Sequence, residues 1–136
     1  MEIEKKLIES AIEASKRAYA PYSKFHVGAA LLLANGKIIQ GCNVENASYG
    51  LTNCAERTAV FSAISQGNRD FAEMAIYVEM EDFVSPCGAC RQVLFEVAPD
   101  MKIILVNKHK KVKRTTVRKL LPLAFGEEEL KSGRHD

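Results

Sequence analysis

Residues 27–40 read VGAALLLANGKIIQ, which is two apolar runs separated by a turn sequence. The pair Asn35-Gly36 favours a tight hairpin, because both residue types tolerate the positive φ angles that such turns require. The first run is apolar almost throughout, which is typical of a strand that is covered on both faces. We therefore predict an antiparallel hairpin whose first strand lies at the centre of a sheet.

The segments on either side of this hairpin predict alternating helices and strands. Apolar residues spaced three and four apart predict an amphipathic helix over 2–19, which Pro21 ends. After a polar loop over 43–53, we predict helices over 54–66, 87–97 and 117–121 and strands over 74–80, 102–107 and 112–116. In chain order, these elements predict an α/β fold of three layers, a mixed five-stranded sheet with helices on both faces.

Bulk composition argues against several classes of protein. The chain has 136 residues, of which 47% are hydrophobic and 26% charged, so we expect one domain over 1–136 with a frayed tail over 131–136. A net charge of +2 gives no general attraction to nucleic acid, and the basic segment 108–119 has no interleaved aromatic residues. The apolar runs are too short to cross a bilayer, and the N-terminus lacks the pattern of a secretory signal. We therefore expect a cytoplasmic protein that binds neither nucleic acid nor membranes.

Four cysteines, at positions 42, 54, 87 and 90, carry the strongest chemical signal. In a reducing compartment, a CxxC pair such as Cys87 and Cys90 indicates metal or redox chemistry rather than a disulfide. Cys54 and Cys87 both stand at the predicted start of a helix, where unpaired N–H groups acidify a thiol. If the two helices lie side by side, Cys54, Cys87 and Cys90 can bind one zinc ion and leave its fourth position to water, as in catalytic sites.

Two residues beside Cys54 have side chains suited to the same site. Glu56 is two positions away, and a carboxylate next to metal-activated water can take a proton from it and return that proton to a substrate. Three thiolates on Zn²⁺ leave a net negative charge, which opposes formation of hydroxide, so a positive group should lie nearby. Arg57 is the candidate donor to a metal-bound sulfur, and Arg91 or Gln92 could assist it.

Taken together, these motifs resemble those of the zinc deaminases in their all-cysteine form. The matching segments are CAE at 54–56 and PCGAC at 86–90. The segments APYSKF at 20–25, GCNVENA at 41–47 and CAERTA at 54–59 resemble the small homotetrameric cytidine deaminases, and the similarity runs from about residue 5 to 130. The resemblance implies a cytidine deaminase-like fold with one Zn²⁺ per subunit. It also implies hydrolytic deamination of cytidine and deoxycytidine to uridine and deoxyuridine, with release of ammonia, in pyrimidine salvage.

Matched position by position, the resemblance implies a role for each site residue. Glu56 would be the catalytic proton carrier, and the metal ligands would be Cys54, Cys87 and Cys90, supported by Arg57. The substrate contacts that it implies are Phe25 against the pyrimidine ring, Asn43 and Glu45 on the ribose hydroxyls, Tyr49 near the sugar and the Ala55 backbone at the base edge. Phe125 matches an aromatic residue that enters a neighbouring subunit's site, which implies a homotetramer with shared sites.

Other interpretations of the same residues stay open at this point. The four cysteines could form a closed structural zinc site with Cys42 as fourth ligand, although such a site needs no adjacent glutamate. Asn43 and Glu45 could only stabilise a loop, and Phe25 and Phe125 could be core residues. The chain could also be a deaminase that acts on another base or on a polynucleotide, or a nucleoside- or zinc-binding module without activity.

Overall fold

Helices and strands alternate in the order that the sequence predicts. The computed structural model describes residues 2–128 and 130, so the predicted tail over 131–136 lies outside the described residues. In chain order the elements are α1 (Glu2–Ser15), β1 (Val27–Leu33), β2 (Ile38–Cys42), a short 3₁₀ turn (Tyr49–Leu51), α2 (Ala55–Ser65), β3 (Phe71–Val78), α3 (Gly88–Val97), β4 (Lys102–Val106), β5 (Val112–Thr116) and α4 (Val117–Leu120).

The strands form one mixed sheet in the order β2-β1-β3-β4-β5. The pair β3 and β4 is parallel, and the other neighbouring pairs are antiparallel. The predicted hairpin is confirmed: Leu33 N donates to Lys37 O at 2.8 Å, and Gly36 has a φ of 91°. The predicted position of the first strand is wrong in one respect. β1 is an inner strand, but β3 is the middle one, because β4 and β5 both lie beyond it.

Helices cover both faces of the sheet, as predicted. On one face, α1 packs through Leu7 and Ala11 onto Ala30, Ala75 and Ile104. On the other face, the larger core includes residues of α2, α3 and α4 packed on the sheet: Ala29, Leu31, Ala55, Ala59, Val60, Ala63, Met74, Ile76, Leu94, Ile103 and Val117. The result is a three-layer α/β/α architecture, in which each helix buries its apolar side against the strands.

Two glycines in the hairpin let the helices approach the sheet backbone closely. A Cβ atom on Gly28 would lie 1.9 Å from Ala11 O in α1. A Cβ atom on Gly41 would lie 2.5 Å from both Ala55 O and Ala59 N in α2. Since neighbouring backbone atoms cannot move away as a flexible side chain can, only glycine fits at these positions.

The first helix ends four residues earlier than predicted. Ser15 Oγ donates to Ile12 O at 2.6 Å, and the following residues form tighter turns of the i to i−3 type, such as Lys16 N to Glu13 O. Tyr19 N then donates to Asn43 O at 2.9 Å. The chain therefore leaves the helix to pair with the segment that follows β2, an interaction that helical periodicity does not reveal.

The strand order brings the starts of two helices together. β2 and β3 are each antiparallel to β1, so they run parallel to each other and end at the same edge of the sheet. α2 follows β2 with Cys54 as its N-cap, and α3 follows β3 with Cys87 as its N-cap. Open α/β sheets bind ligands at this edge. Among the described residues, no helix is both long and apolar enough to span a membrane.

Candidate metal centre and substrate cavity

Three cysteine thiols converge at the shared sheet edge. The Sγ atoms of Cys54, Cys87 and Cys90 all lie within 4.8 Å of one another, and those of Cys54 and Cys87 are 3.7 Å apart. Zinc holds thiolates at about 2.3 Å, so tetrahedral coordination places two sulfurs about 3.8 Å apart. The three thiols therefore have the spacing and the chemistry that a zinc ion requires. Cys42 is not part of this group, so the described residues give no support to a four-cysteine site.

The surroundings of the sulfurs favour negative charge on Cys54. Arg57 Nη2 lies 3.4 Å from Cys54 Sγ, and Arg57 Nε is buried without a hydrogen-bond partner among the described residues. The pKa of Cys54 is lowered to about 5, because the Cys90 thiol donates a hydrogen bond to it and Arg57 donates another. The pKa of Cys90 is raised by the same hydrogen bond and by burial. A sulfur that is anionic at neutral pH is ready to bind a metal cation.

Glu56 lies in the first turn of α2, directly between Ala55 and Arg57. Its side chain is only 5% exposed, and burial raises the pKa of its carboxyl group to about 7. A carboxyl group with a pKa near neutrality can both accept and release a proton at the pH of the cell. Glu56 is therefore chemically suited to the proton transfer that its position beside Cys54 predicts.

A cavity of about 490 Å³ opens onto these groups. Its volume is in the range of pockets that hold small molecules. The lining includes Cys54, Cys87, Glu56 and four of the residues predicted to contact substrate, which are Phe25, Asn43, Glu45 and Ala55. A larger groove of about 600 Å³ lies between α3 and the segment 121–128, but it contains none of the thiols. The reactive groups therefore assign the chemistry to the smaller cavity.

Two polar residues of the cavity wall, Asn43 and Glu45, are held firmly by hydrogen bonds to the backbone. Asn43 is 7% exposed; its Oδ1 accepts from Val27 N at 2.9 Å and its Nδ2 donates to Phe25 O at 2.7 Å. The Glu45 carboxylate accepts from Tyr22 N at 3.0 Å and from the backbone and hydroxyl of Ser23. The Ser23 hydrogen bonds hold the pKa of Glu45 below its usual value. Glu45 therefore presents a fixed anionic acceptor to the cavity.

Two predicted substrate contacts lie outside this cavity. Tyr49 is 77% exposed and makes an edge contact with the Tyr22 ring, at a centroid distance of 6.5 Å. Phe125 is 62% exposed, and its carbonyl accepts from Gln92 Nε2 at 2.8 Å. Neither residue lines the cavity within one chain, so both roles stay predictions.

Sequence reasoning missed several residues of the cavity wall and the hydrogen-bond partners of Arg91 and Gln92 in α3. Ser23, Thr52, Val84 and Ser85 also line the cavity. Ser23 and Ser85 stand inside or beside the quoted motifs, and that proximity is the signal that could have identified them. Arg91 and Gln92, considered as helpers of Arg57, instead donate to oxygen atoms of other segments.

Known proteins resemble this chain over most of its length. The family described as "Cytidine and deoxycytidylate deaminase zinc-binding region" matches residues 1–107. A cytidine deaminase of Halalkalibacterium halodurans is 53% identical over 125 residues, which cover 91% of this chain and 95% of that protein. One of Sporosarcina psychrophila is 52% identical over 131 residues, 96% of each chain.

A solved structure extends the likeness to the fold. The crystal structure of cytidine deaminase from Burkholderia pseudomallei superposes with a TM-score of 0.87 at 52% identity, and it covers 89% of this chain and 98% of that one. The predicted fold class and the predicted resemblance are both confirmed. The chain therefore belongs to the cytidine and deoxycytidylate deaminase family of zinc enzymes.

Proposed function

We propose that this protein catalyses the zinc-dependent hydrolysis of cytidine and deoxycytidine to uridine and deoxyuridine, with release of ammonia. The observation that carries the proposal is the position of Glu56, a buried carboxyl group on the wall of a cavity that two of the three clustered thiols, Cys54 and Cys87, also border. A purely structural zinc site has no need of such a group, and a closed site would have no adjoining cavity.

In this proposal Cys54, Cys87 and Cys90 hold the metal. Bound zinc supplies the Lewis acidity that makes a water molecule nucleophilic at neutral pH. Arg57 donates to Cys54 Sγ and offsets part of the negative charge of the three sulfurs. The side chain of Cys90 is fully buried, while Cys54 and Cys87 border the cavity, so two of the three ligands would lie on the side where substrate binds.

Glu56 carries the protons in the proposed reaction. It accepts a proton from the attacking water and delivers it to the ring nitrogen beside the amino-bearing carbon. The same carboxylate then accepts the proton of the hydroxyl group added to the ring carbon and passes it to the amino group; the carbon–nitrogen bond breaks, the carbonyl forms and ammonia departs. Water adds an oxygen to the ring carbon and ammonia leaves from it, so cytidine and water give uridine and ammonia. A pKa near 7 suits a group that must both take and give a proton.

The remaining wall residues would orient the nucleoside. Phe25 packs on the pyrimidine ring, and the Ala55 backbone reads the edge of the base. Asn43 and Glu45 bind the ribose hydroxyls, for which the fixed carboxylate of Glu45 is a suitable acceptor. Tyr49 would approach the sugar only if its loop closes over the cavity.

A homotetramer with one zinc per subunit and shared sites completes the proposal. It is supported by the exposure of Phe125 and Leu123, two apolar side chains on a segment that a single chain leaves uncovered. A fully active monomer at nanomolar dilution would contradict the shared sites.

We further propose a single domain over 1–136 that acts in the cytoplasm on free nucleosides, in pyrimidine salvage.

The deciding experiment combines zinc quantification with the ultraviolet change that accompanies conversion of cytidine to uridine. We expect about one zinc per chain and ready turnover of cytidine. Faster release of ammonia from a cytosine-containing oligonucleotide than from cytidine would overturn the assignment to nucleosides. Protein that holds zinc and binds cytidine without turnover would instead be a binding module.

A further inference from the structure

The guanidinium group of Arg91 binds three neutral oxygen atoms. Nε donates to Pro86 O, Nη1 to Leu120 O and Nη2 to Ser85 Oγ, each at 2.7 Å. None of these acceptors is a sulfur or a carboxylate. Through these contacts Arg91 neither offsets the negative charge of the thiols nor forms an ion pair. Its hydrogen bonds therefore have another role.

The contacts of Arg91 enclose the backbone of Cys87. The Pro86 carbonyl belongs to the peptide unit that leads into Cys87, and the Arg91 side chain binds it. The Cys87 carbonyl belongs to the next peptide unit, and Arg91 N donates to it at 3.0 Å. Since the two peptide planes on either side of Cys87 are both held, the direction of its Cα–Cβ bond is fixed as well.

The third contact joins this loop to a distant part of the chain. Leu120 is the last residue of α4, 29 positions after Arg91. The chain continues from there to Phe125, whose carbonyl is bound by the neighbouring Gln92. Two adjacent side chains of α3 thus hold both ends of the segment 120–125 against the helix that carries Cys90.

We propose that Arg91 is a positioning residue that fixes the loop Ser85-Pro86-Cys87 and locks it to the end of α4. The proposal rests on the proposed function in one respect, because it takes Cys87 to be a zinc ligand. Its consequence is that Arg91 sets how firmly the metal is retained, without touching either the metal or the substrate. Outer partners of this kind typically change metal affinity or activity by about 10- to 100-fold when they are lost.

The geometry of the guanidinium group explains why arginine stands here. Its planar fork directs N–H groups at three acceptors on two segments, two in the loop before α3 and one at the end of α4, whereas lysine has a single ammonium group on a flexible stem. Arg91→Lys therefore keeps the charge and removes the fork. If charge alone mattered, this variant would behave as wild type.

The test compares Arg91→Lys with Arg17→Lys in the zinc-loaded protein. Arg17 is a matched control, because its Nη2 donates to Gln40 Oε1 at 2.6 Å and so also joins two segments, away from the thiols. Release of zinc to a colorimetric chelator should be about 10- to 100-fold faster in Arg91→Lys and unchanged in Arg17→Lys. Added zinc should restore part of the lost kcat of Arg91→Lys.

Hydrogen–deuterium exchange of the protein as purified provides a readout that needs neither zinc nor activity. Arg91→Lys should speed exchange in the peptides covering 84–88 and 119–126, while peptides of β3 and α1 stay at the wild-type rate. Wild-type rates of zinc release and exchange in Arg91→Lys would overturn the inference, whatever the activity of the wild-type enzyme. Absence of zinc or turnover in the wild type would instead defeat the proposed function and leave the exchange result to decide on the loop.

Ser85→Ala keeps the test decisive should Arg91→Lys fail to fold. It removes one acceptor and leaves the guanidinium group with its two carbonyl partners. We expect faster exchange over 84–88 and a smaller acceleration of zinc release than in Arg91→Lys. No change in either quantity would contradict a positioning role for the Arg91 fork.

Discussion

Glu56 and Arg57 are adjacent in α2 and yet contribute opposite chemistry to one site. Glu56 is buried, and its surroundings raise its pKa to about 7. Arg57 donates to Cys54 Sγ and so lowers the pKa of that thiol, in addition to the larger effect of Cys90. Successive residues of a helix point in directions about 100° apart. Glu56 can therefore face the proton path while Arg57, in the same turn, faces the sulfur cluster.

Replacing the Glu56 carboxyl group tests the proton path. Glu56→Gln keeps the shape of the side chain and removes its acidity, so we expect zinc content to stay near wild type and the rate of cytidine deamination to fall by about 10²- to 10⁴-fold. Zinc analysis and initial rates measure the two effects. Glu9→Gln, on the exposed side of α1, serves as control. A loss of less than tenfold would assign the proton transfer to another group.

Removing single sulfurs tests the ligand set. Cys54→Ala, Cys87→Ala and Cys90→Ala should each lose the metal, because two remaining thiols hold zinc much less tightly than three. Cys42→Ser should retain it, since Cys42 is not part of the sulfur cluster. Zinc per chain after dialysis measures the outcome, and metal retained in any of the first three variants would contradict that assignment.

The fixed carboxylate of Glu45 predicts a pH-dependent contribution to stability. Its pKa is lowered in the folded chain, chiefly by Ser23, from an ordinary value of 4.5. A lowered folded pKa stabilises the fold above the unfolded pKa, and the contribution is lost as the pH falls through the folded pKa. The difference in unfolding free energy between wild type and Glu45→Gln should therefore shrink on acidification below about pH 4.5. A difference that stays constant with pH would show that hydrogen-bond geometry, not charge, is responsible.

At the scale of elements, the position of α2 on β2 decides where Cys54 and Glu56 stand. The helix packs so closely that a Cβ on Gly41 would meet its backbone. Helix α3 brings the other two thiols from the end of β3, and Arg91 fixes the loop before it. The sulfur cluster thus depends on how two helices are seated, and displacement of either helix would spread the sulfurs.

Gly41→Ala tests this dependence. The added methyl group forces α2 away from the sheet, so we expect a loss of about 1–3 kcal/mol in the free energy of unfolding, together with weaker zinc retention. Gly50→Ala is the matched control, because its Cβ would meet nothing within 4 Å. Urea unfolding and chelator competition measure the two effects. If Gly41→Ala lowers stability and leaves zinc retention unchanged, α2 can shift without disturbing the sulfur cluster, which would contradict the dependence proposed here.

At the scale of the whole molecule, the features that the sequence predicted correctly are those that depend on residues close together in the chain. The Asn35-Gly36 turn and the order of elements follow from short motifs and periodicity. The prediction that Cys54 lies close to Cys87 and Cys90 required one further assumption, that helices α2 and α3 lie side by side. The order of the strands in the sheet confirms that assumption. The predicted zinc cofactor and deaminase family rest on those same residues.

The parts that were wrong or missed depend on contacts between distant segments. Helix α1 ends at Ser15 because Tyr19 pairs with Asn43, which lies far along the chain. β3 is the middle strand because β4 and β5 both join the sheet on the same side of it. The sequence of a single strand does not reveal which strands it will pair with. The partner of Arg91 at Leu120 is likewise invisible until the chain is folded.

Shared sites predict complementation between inactive subunits. Phe125→Ala removes the side chain proposed to enter a neighbouring site, and Glu56→Gln removes the proton carrier of its own site. After mixed dissociation and reassembly, some sites would combine a native Glu56 with a native Phe125 and regain activity. Activity assays before and after mixing measure this. A mixture that stays as inactive as its components would contradict sharing of sites through Phe125.

Gly28 pairs with Cys42 and Gly41 pairs with Ala29, so the two glycines are diagonal neighbours in the hairpin. Gly28 admits α1 on one face of the sheet, and Gly41 admits α2 on the other. At these two positions the helix backbones approach the sheet backbone so closely that no side chain fits between them. A larger residue at either position would push a helix away from the sheet, whereas Lys113 on the edge strand β5 is exposed and should tolerate substitution. A redesign of this scaffold should therefore keep Gly28 and Gly41 and place new residues at exposed positions of the edge strand β5.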